Sequence, residues 1–208
     1  MGRGRSANYD DQREMILAQA ANLFAQRGYP ATSMNQVAQA CGLSKATLYH
    51  YYRDKYALLV SIADDHVSRL AALIDEEATL SLTGEARLRH LIYRIVGEYA
   101  DAQNAHRVLT EDVKFLEDAD RERVLGKERR VVEGFARAVA DVRSDKAGAG
   151  LAKPLTMLLF GMINWMFTWM KPDRALDYEA MGPIVADLFL GGLDKVRPPQ
   201  ETATLSAP

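Results

Sequence analysis

Residues 32–55 read TSMNQVAQACGLSKATLYHYYRDK, and this stretch decides the fold. Ser33 stands three residues ahead of Gln36, the spacing of a capping box. In that motif each side chain satisfies a backbone N–H at the start of a helix. The helix is short, because Gly42 follows Cys41. A glycine accepts the positive φ of a tight turn at little cost. Ser44 caps a second short helix, and Leu43 outside that cap is spaced to staple onto Leu48. Two short capped helices joined by a glycine turn form a helix-turn-helix. Val37 and Cys41 give the first of them an apolar face, and Ala38 permits close approach. Leu48 and Tyr52, at i and i+4, turn toward that packing. Cys41 reads as a small buried hydrophobe rather than a redox sensor.

The opposite face of the second helix carries Lys45, Ala46, Thr47, Tyr49 and His50. Ala46 and Thr47 are small enough for the helix to approach base edges in a major groove. Tyr49 and His50 offer donors to phosphate oxygens, which fix register more than sequence. Ser33 and Lys55 sit at helix starts, where free N–H groups favour an anion. Arg3 and Arg5 are expected in a mobile arm able to reach a phosphate or a minor groove. The DNA-binding set is therefore Ser33, Lys45, Ala46, Thr47, Tyr49, His50 and Lys55.

Outward from this segment, apolar residues recur with helical period and no run alternates as a strand. Ile16, Ala20, Leu23 and Phe24 define a first helix over residues 12–27, stopped by Gly28. Asp54 caps a long helix over 55–80. Further helices are predicted over 85–103, 105–116, 120–143, 151–171 and 178–196, with a break at 145–150. The fold class is all-α, with about nine helices. An arm and three-helix reading domain over 1–55 precedes a helical ligand-binding and dimerisation bundle over 56–196. A Pro/Thr/Ser/Ala-rich tail over 197–208 is expected to be disordered.

The chain has 208 residues and a net charge of −2. Residues 1–56 carry seven Lys/Arg and four Asp/Glu, or +3, which leaves −5 for the remainder. A basic head on an acidic body suits a DNA-binding head. The single cysteine excludes an internal disulfide and suits a reducing cytoplasm. The most apolar run, 155–170, is too short for a bilayer span and carries Asn164, so no membrane is expected. His50, His66, His90 and His106 show no metal-binding spacing. Neither Gly-x-Ser-x-Gly nor a phosphate loop is present. An enzyme, a metal site and a cofactor are therefore not expected.

A helix ending Arg27-Gly28-Tyr29, followed by TSMNQVAQACGLSKATLYHYYRDKYALL, resembles the DNA-binding region of the TetR/AcrR family. The family pattern has a Thr/Ser cap, Val-Ala, a glycine turn, Ser-Lys-x-Thr-Leu-Tyr, an aromatic pair and a Lys after an acidic or Ser cap. Tyr52 stands where Phe is usual and Ala46 where Gly is common; a buried Tyr52 hydroxyl would need a partner. The resemblance implies a homodimeric regulator, by family habit a repressor, released from a palindromic operator by a small molecule.

Residues 151–171 are apolar on nearly every face, so one subunit can cover only one side. Met181, Ile184, Val185, Leu188 and Phe189 stripe the last helix. Two helices from each subunit would make a four-helix interface about a twofold axis. Trp165 and Trp169 share a face at i and i+4 beside Asn164, and flat indoles with nearby donors suit an amphiphilic ligand. A single aromatic on an apolar helix is more often core, and the cluster of indoles with donors is what points beyond it. The expected ligand-binding set is Tyr93, Phe160, Asn164, Trp165 and Trp169.

Asn164, Trp165, Trp169 and Pro172 also resemble a motif of TetR-type regulators of fatty-acid, steroid and aromatic-acid catabolism, which respond to acyl-CoA thioesters. Asp173-Arg174 replaces the usual following glycine. An acyl-CoA is thus the expected effector. The alternatives are a drug-responsive repressor of an efflux gene and, more distantly, a helical thioester-binding enzyme. Cations for CoA phosphates are plentiful at Arg107, Lys114, Arg121, Arg123, Lys127, Arg129 and Arg130, though that run also reads as a solvated helix face.

Overall fold

The computed structural model describes residues 3–143, 150–170, 177–193 and 195–196, with side chains from residue 9 onward. The described residues are helical and contain no strand. The order is α1 (Arg3–Arg27), α2 (Met34–Ala40), α3 (Lys45–Tyr51), α4 (Lys55–Glu77), α5 (Gly84–Asp101) and α6 (Gln103–Asp112). A 3-10 turn (Val113–Phe115) leads to α7 (Asp118–Val142), α8 (Ala152–Asn164), α9 (Met166–Trp169) and α10 (Tyr178–Leu193). Taking α8 and α9 as one interrupted helix gives nine among the described residues.

The chain forms two compact units. One holds residues up to Asp75 together with Gly97–Val131, and the other Glu76–Val96 together with the chain from Val132 onward. In the first, Ile16, Ala20, Phe24, Val37, Leu48, Leu58, Leu59 and Ile62 form one buried cluster. Each fully buried Val, Leu, Ile or Phe among them contributes roughly 1.5–3 kcal/mol. The second unit buries Leu88, Ile92 and Ile95 of α5, Phe135 and Val139 of α7, Leu159 and Ile163 of α8, and Val185 and Phe189 of α10.

Local signals act as the sequence indicates. Gly28 and Gly42 take φ of 83° and 64°. Asp54 accepts the Ala57 N–H at 2.7 Å and starts α4. The cation run of α6 and α7 forms ion pairs. Arg123 and Lys127 reach Asp64, Arg130 reaches Asp75, and Arg107 pairs with Glu111. Burial works to raise the Asp64 pKa, but hydrogen bonds from Lys127 and Arg123 outweigh it and hold the carboxyl below its ordinary value.

Two expectations are corrected. α1 begins at Arg3, so the stretch containing Arg3 and Arg5 is helix rather than a free arm. The side chain of Tyr9 gives this extension a tertiary partner, stacking on Tyr51. The apolar helix expected over 151–171 breaks at Trp165. There the Trp165 carbonyl accepts both the Thr168 N–H at 3.1 Å and the Thr168 hydroxyl at 2.7 Å. An i→i+3 bond and a side-chain donor take the place of helical i→i+4 pairing. Most of the expected break at 145–150, Lys171, Pro172 and the tail 197–208 lie outside the described residues.

Candidate nucleic-acid interface

The α2 start is built as its sequence demands. Ser33 Oγ accepts the Gln36 N–H at 3.3 Å, and Gln36 Oε1 accepts the Ser33 N–H at 2.8 Å. Thr32 is buried, and its hydroxyl donates to the Gly28 carbonyl just beyond α1 at 3.0 Å and lies 3.4 Å from the Leu23 carbonyl of α1. Ser44 Oγ accepts the Thr47 N–H at 3.0 Å and lies 2.7 Å from Thr47 Oγ1. The Thr47 hydroxyl is therefore engaged by the cap, while its methyl remains open to a partner.

Leu48 is the one buried side chain of α3. Lys45, Ala46, Thr47, Tyr49 and His50 are all exposed, as is Ser33. A cation, two small residues and two donors thus share the surface of one short helix. The Lys45 ammonium lies 5.8 Å from the Tyr49 ring centroid. Lys55 is placed differently from its expected role. Its ammonium donates to the Tyr29 carbonyl at 2.8 Å and the Pro30 carbonyl at 3.2 Å, and sits 4.4 Å from the Tyr29 ring centroid. Burial lowers its pKa. Lys55 braces the α1–α2 connector against the start of α4.

Tyr52 follows α3 as its C-cap and is buried. Its hydroxyl makes no well-formed hydrogen bond, though the Arg13 and Ser61 side chains interact with it. Burial pushes its pKa up. A buried hydroxyl left without a well-formed bond costs up to about 1–3 kcal/mol. Tyr52→Phe is expected to raise stability by about 1 kcal/mol, read as a higher urea midpoint at unchanged slope; a lower midpoint would reveal a hydrogen bond worth keeping.

Sequence reasoning did not single out the buried pair His66 and His106, on α4 and α6. His66 Nε2 lies 3.3 Å from His106 Nδ1, and the Tyr99 ring stacks on His106 at 3.7 Å. Helical spacing alone would have placed both on inward faces, but not opposite each other.

The five expected ligand residues are not gathered into one enclosed site. Phe160 is buried edge-on against Phe135 at 5.0 Å. Tyr93 covers Gly182 of α10 so closely that a Cβ there would meet Tyr93 Cδ1 at 3.3 Å. Asn164 is half-buried, whereas Trp165 and Trp169 are 66% and 54% exposed. A cavity of about 890 Å³ lies in the first unit, among Arg13 and Leu17 of α1, Ile62 and Asp65 of α4, and Ala102 and Asn104 at the start of α6. None of the five lines it. Among the described residues no helix is long and apolar enough to cross a membrane.

Comparison with known proteins places this geometry. The pattern of bacterial regulatory proteins of the tetR family matches residues 16–62, and that of a tetracyclin repressor-like C-terminal domain matches 81–193. A TetR-family regulator from Bordetella parapertussis is 32% identical at a TM-score of 0.80, over 86% of this chain and 93% of its own. The transcriptional activator FasR of Mycolicibacterium smegmatis is 24% identical, over 93% of this chain and 88% of its own. AibR, solved with isovaleryl coenzyme A and operator DNA, shares the fold at 23% identity and a TM-score of 0.70, over 91% of this chain and all of its own. The chain belongs to the TetR family of helix-turn-helix, DNA-binding transcription regulators, which are not enzymes.

Proposed function

We propose that this protein is a repressor that binds a palindromic operator as a homodimer and is released by a small-molecule effector of the acyl-CoA class. The carrying observation is the exposed row Lys45, Ala46, Thr47, Tyr49 and His50 on a helix whose only buried side chain is Leu48. Lys45 and His50 supply charge or donors to phosphate, Ala46 and the Thr47 methyl meet base edges, and Tyr49 donates to the backbone. Ser33 adds a hydroxyl at the start of α2. Lys55 acts by bracing the connector, with its ammonium engaged by the Tyr29 and Pro30 carbonyls. Residues 1–55 carry the reading function, and 56–196 carry effector binding and dimerisation. In the binding state the two α3 helices would lie one DNA turn apart, roughly 34–36 Å.

The acyl-CoA class is supported by the Asn164-Trp165…Trp169 pattern and by the ligand solved on AibR. The effector must bind the DNA-incompetent state more tightly than the binding state. Titrating the protein against duplexes selected from a random library, with and without a panel of acyl-CoAs, tests both parts. Release by one thioester supports the reading. Release by none of them removes the effector class while keeping DNA binding, and release by lipophilic cations points to the efflux-drug reading. Alanine at Tyr93, Phe160, Asn164, Trp165 and Trp169 then identifies which of them meet the effector. A promoter assay decides the direction of regulation, since the relative FasR is an activator. On DNA, Lys45→Ala is expected to weaken operator and unrelated duplex alike and to lower the salt slope by about one; an unchanged slope would remove Lys45 from the phosphate contacts.

A further inference from the structure

α3 is seven residues long, too short to hold its shape without tertiary support. Leu48 anchors its middle, and Tyr52 is buried just beyond its end. The Ser44 cap and α2 support its start, and further support comes at Tyr51, the last residue of α3. The Tyr9 ring lies flat on the Tyr51 ring, with centroids 4.7 Å apart and planes at 25°. His50 meets the same Tyr51 ring edge-on at 5.7 Å. Tyr9 belongs to the stretch of α1 that precedes residue 12, where the sequence alone suggests no helix.

We propose that Tyr9 is a positioning residue for DNA recognition: its stack on Tyr51 fixes the C-terminal turn of α3 to α1 and so sets how Lys45, Thr47 and Tyr49 meet the groove. The inference rests on the DNA-binding reading of α3. The helix is about 10 Å long, so freedom at the Tyr51 end becomes displacement at the Lys45 end. Hydrogen bonds to base edges fail when donors shift, whereas attraction to the phosphate backbone tolerates the shift. Loss of the stack therefore erodes preference for the operator more than affinity for DNA in general. Tyr9 is itself 42% exposed, so its hydroxyl could instead bond a phosphate directly. Phenylalanine separates the two roles, because it keeps the ring and drops the hydroxyl.

The test uses the full chain and an operator selected from random duplexes. Affinities of wild type, Tyr9→Phe and Tyr9→Ala are measured on that operator and on an unrelated duplex. Tyr9→Ala is expected to bind the operator about two- to tenfold more weakly, the range of an aromatic pair, with the unrelated duplex unchanged. Tyr9→Phe is expected to behave as wild type. Equal weakening on both duplexes would mean a general effect on the fold, and a Phe variant as weak as Ala would mean a phosphate contact; either overturns the proposal. Amide hydrogen exchange of the free protein adds an independent reading. Tyr9→Ala should accelerate exchange in α3 and leave α2 unchanged, and unaltered α3 protection overturns the proposal. If wild type prefers no duplex, the DNA-binding reading fails first and this inference falls with it.

Discussion

Lowering the pH from 7 to 5 is expected to remove up to about 4 kcal/mol of folding stability through His66 and His106 alone. Burial drives the His66 pKa from its ordinary 6.5 to about 3, aided by the nearby His106 and Arg69. Burial likewise takes His106 to about 4. Arg69 Nη2 lies 3.4 Å from His66 Nδ1, so a proton arriving there would face a cation instead of an acceptor. Above pH 6.5 both rings are neutral in folded and unfolded chains, and neither affects stability. Below 6.5 the unfolded chain takes up protons that the folded chain refuses. Each histidine then costs about 1.4 kcal/mol per pH unit until its folded value is reached. A typical domain has about 5–15 kcal/mol to lose. Glu128 and Asp112 act in the opposite sense, since burial raises their pKa values and acid relieves them. A variant comparison removes this background. His106→Gln keeps an amide near His66 but cannot take the proton, so it should lose about 2 kcal/mol less than wild type between pH 7 and 5. Urea midpoints at the two pH values check this. Equal losses in both proteins would show that the pair remains hydrated and titrates normally.

A single charge on the exposed apolar surface of the second unit is expected to separate the proposed dimer. Leu158 of α8 and Leu188 of α10 are 65% and 67% exposed, and Met157, Trp165, Trp169 and Ile184 are also open. Leu158, Gly161 and Trp165 fall at i, i+3 and i+7, and Ile184, Leu188 and Gly191 at i, i+4 and i+7, so each helix presents one stripe. Monomers rarely leave so many large apolar side chains exposed together. A twofold partner applying the same stripes would cover them, with the glycines allowing close helix approach. Burying an unpaired carboxylate there costs more than the leucine contributed. Leu188→Glu should sediment as a monomer at concentrations where wild type is a dimer. Its operator affinity should fall about 10²–10⁴-fold, because the second half-site is no longer bound at high effective concentration. A Leu188→Glu protein that remained dimeric would place the interface elsewhere on the molecule.

The reading head was legible because its determinants are local. The Ser33–Gln36 box, the Ser44 cap, the positive φ of Gly42 and the inward turn of Leu48 depend on residues a few positions apart, and each is where its spacing requires. The core faces of the long helices were legible for the same reason, since helical period alone separates buried from exposed positions. Resemblance then extended this to the family, because the cap, turn and aromatic signals of residues 32–55 occur together and in order.

The placement of the expected ligand residues was less legible. Burial of an aromatic depends on what packs opposite it, and helical spacing says nothing of that. The same apolar helix sends Phe160 into the core and leaves Trp165 open. Sequence by itself determined an all-α chain with a helix-turn-helix and one face of α3 free for DNA, because caps, turns and helical period act within a few residues. Only the tertiary structure decided that α1 extends back to meet Tyr51, that Lys55 serves the Tyr29 and Pro30 carbonyls, and that His66 faces His106. Each of these needs atoms from segments far apart in the chain, and their meeting is fixed by packing rather than by any local pattern.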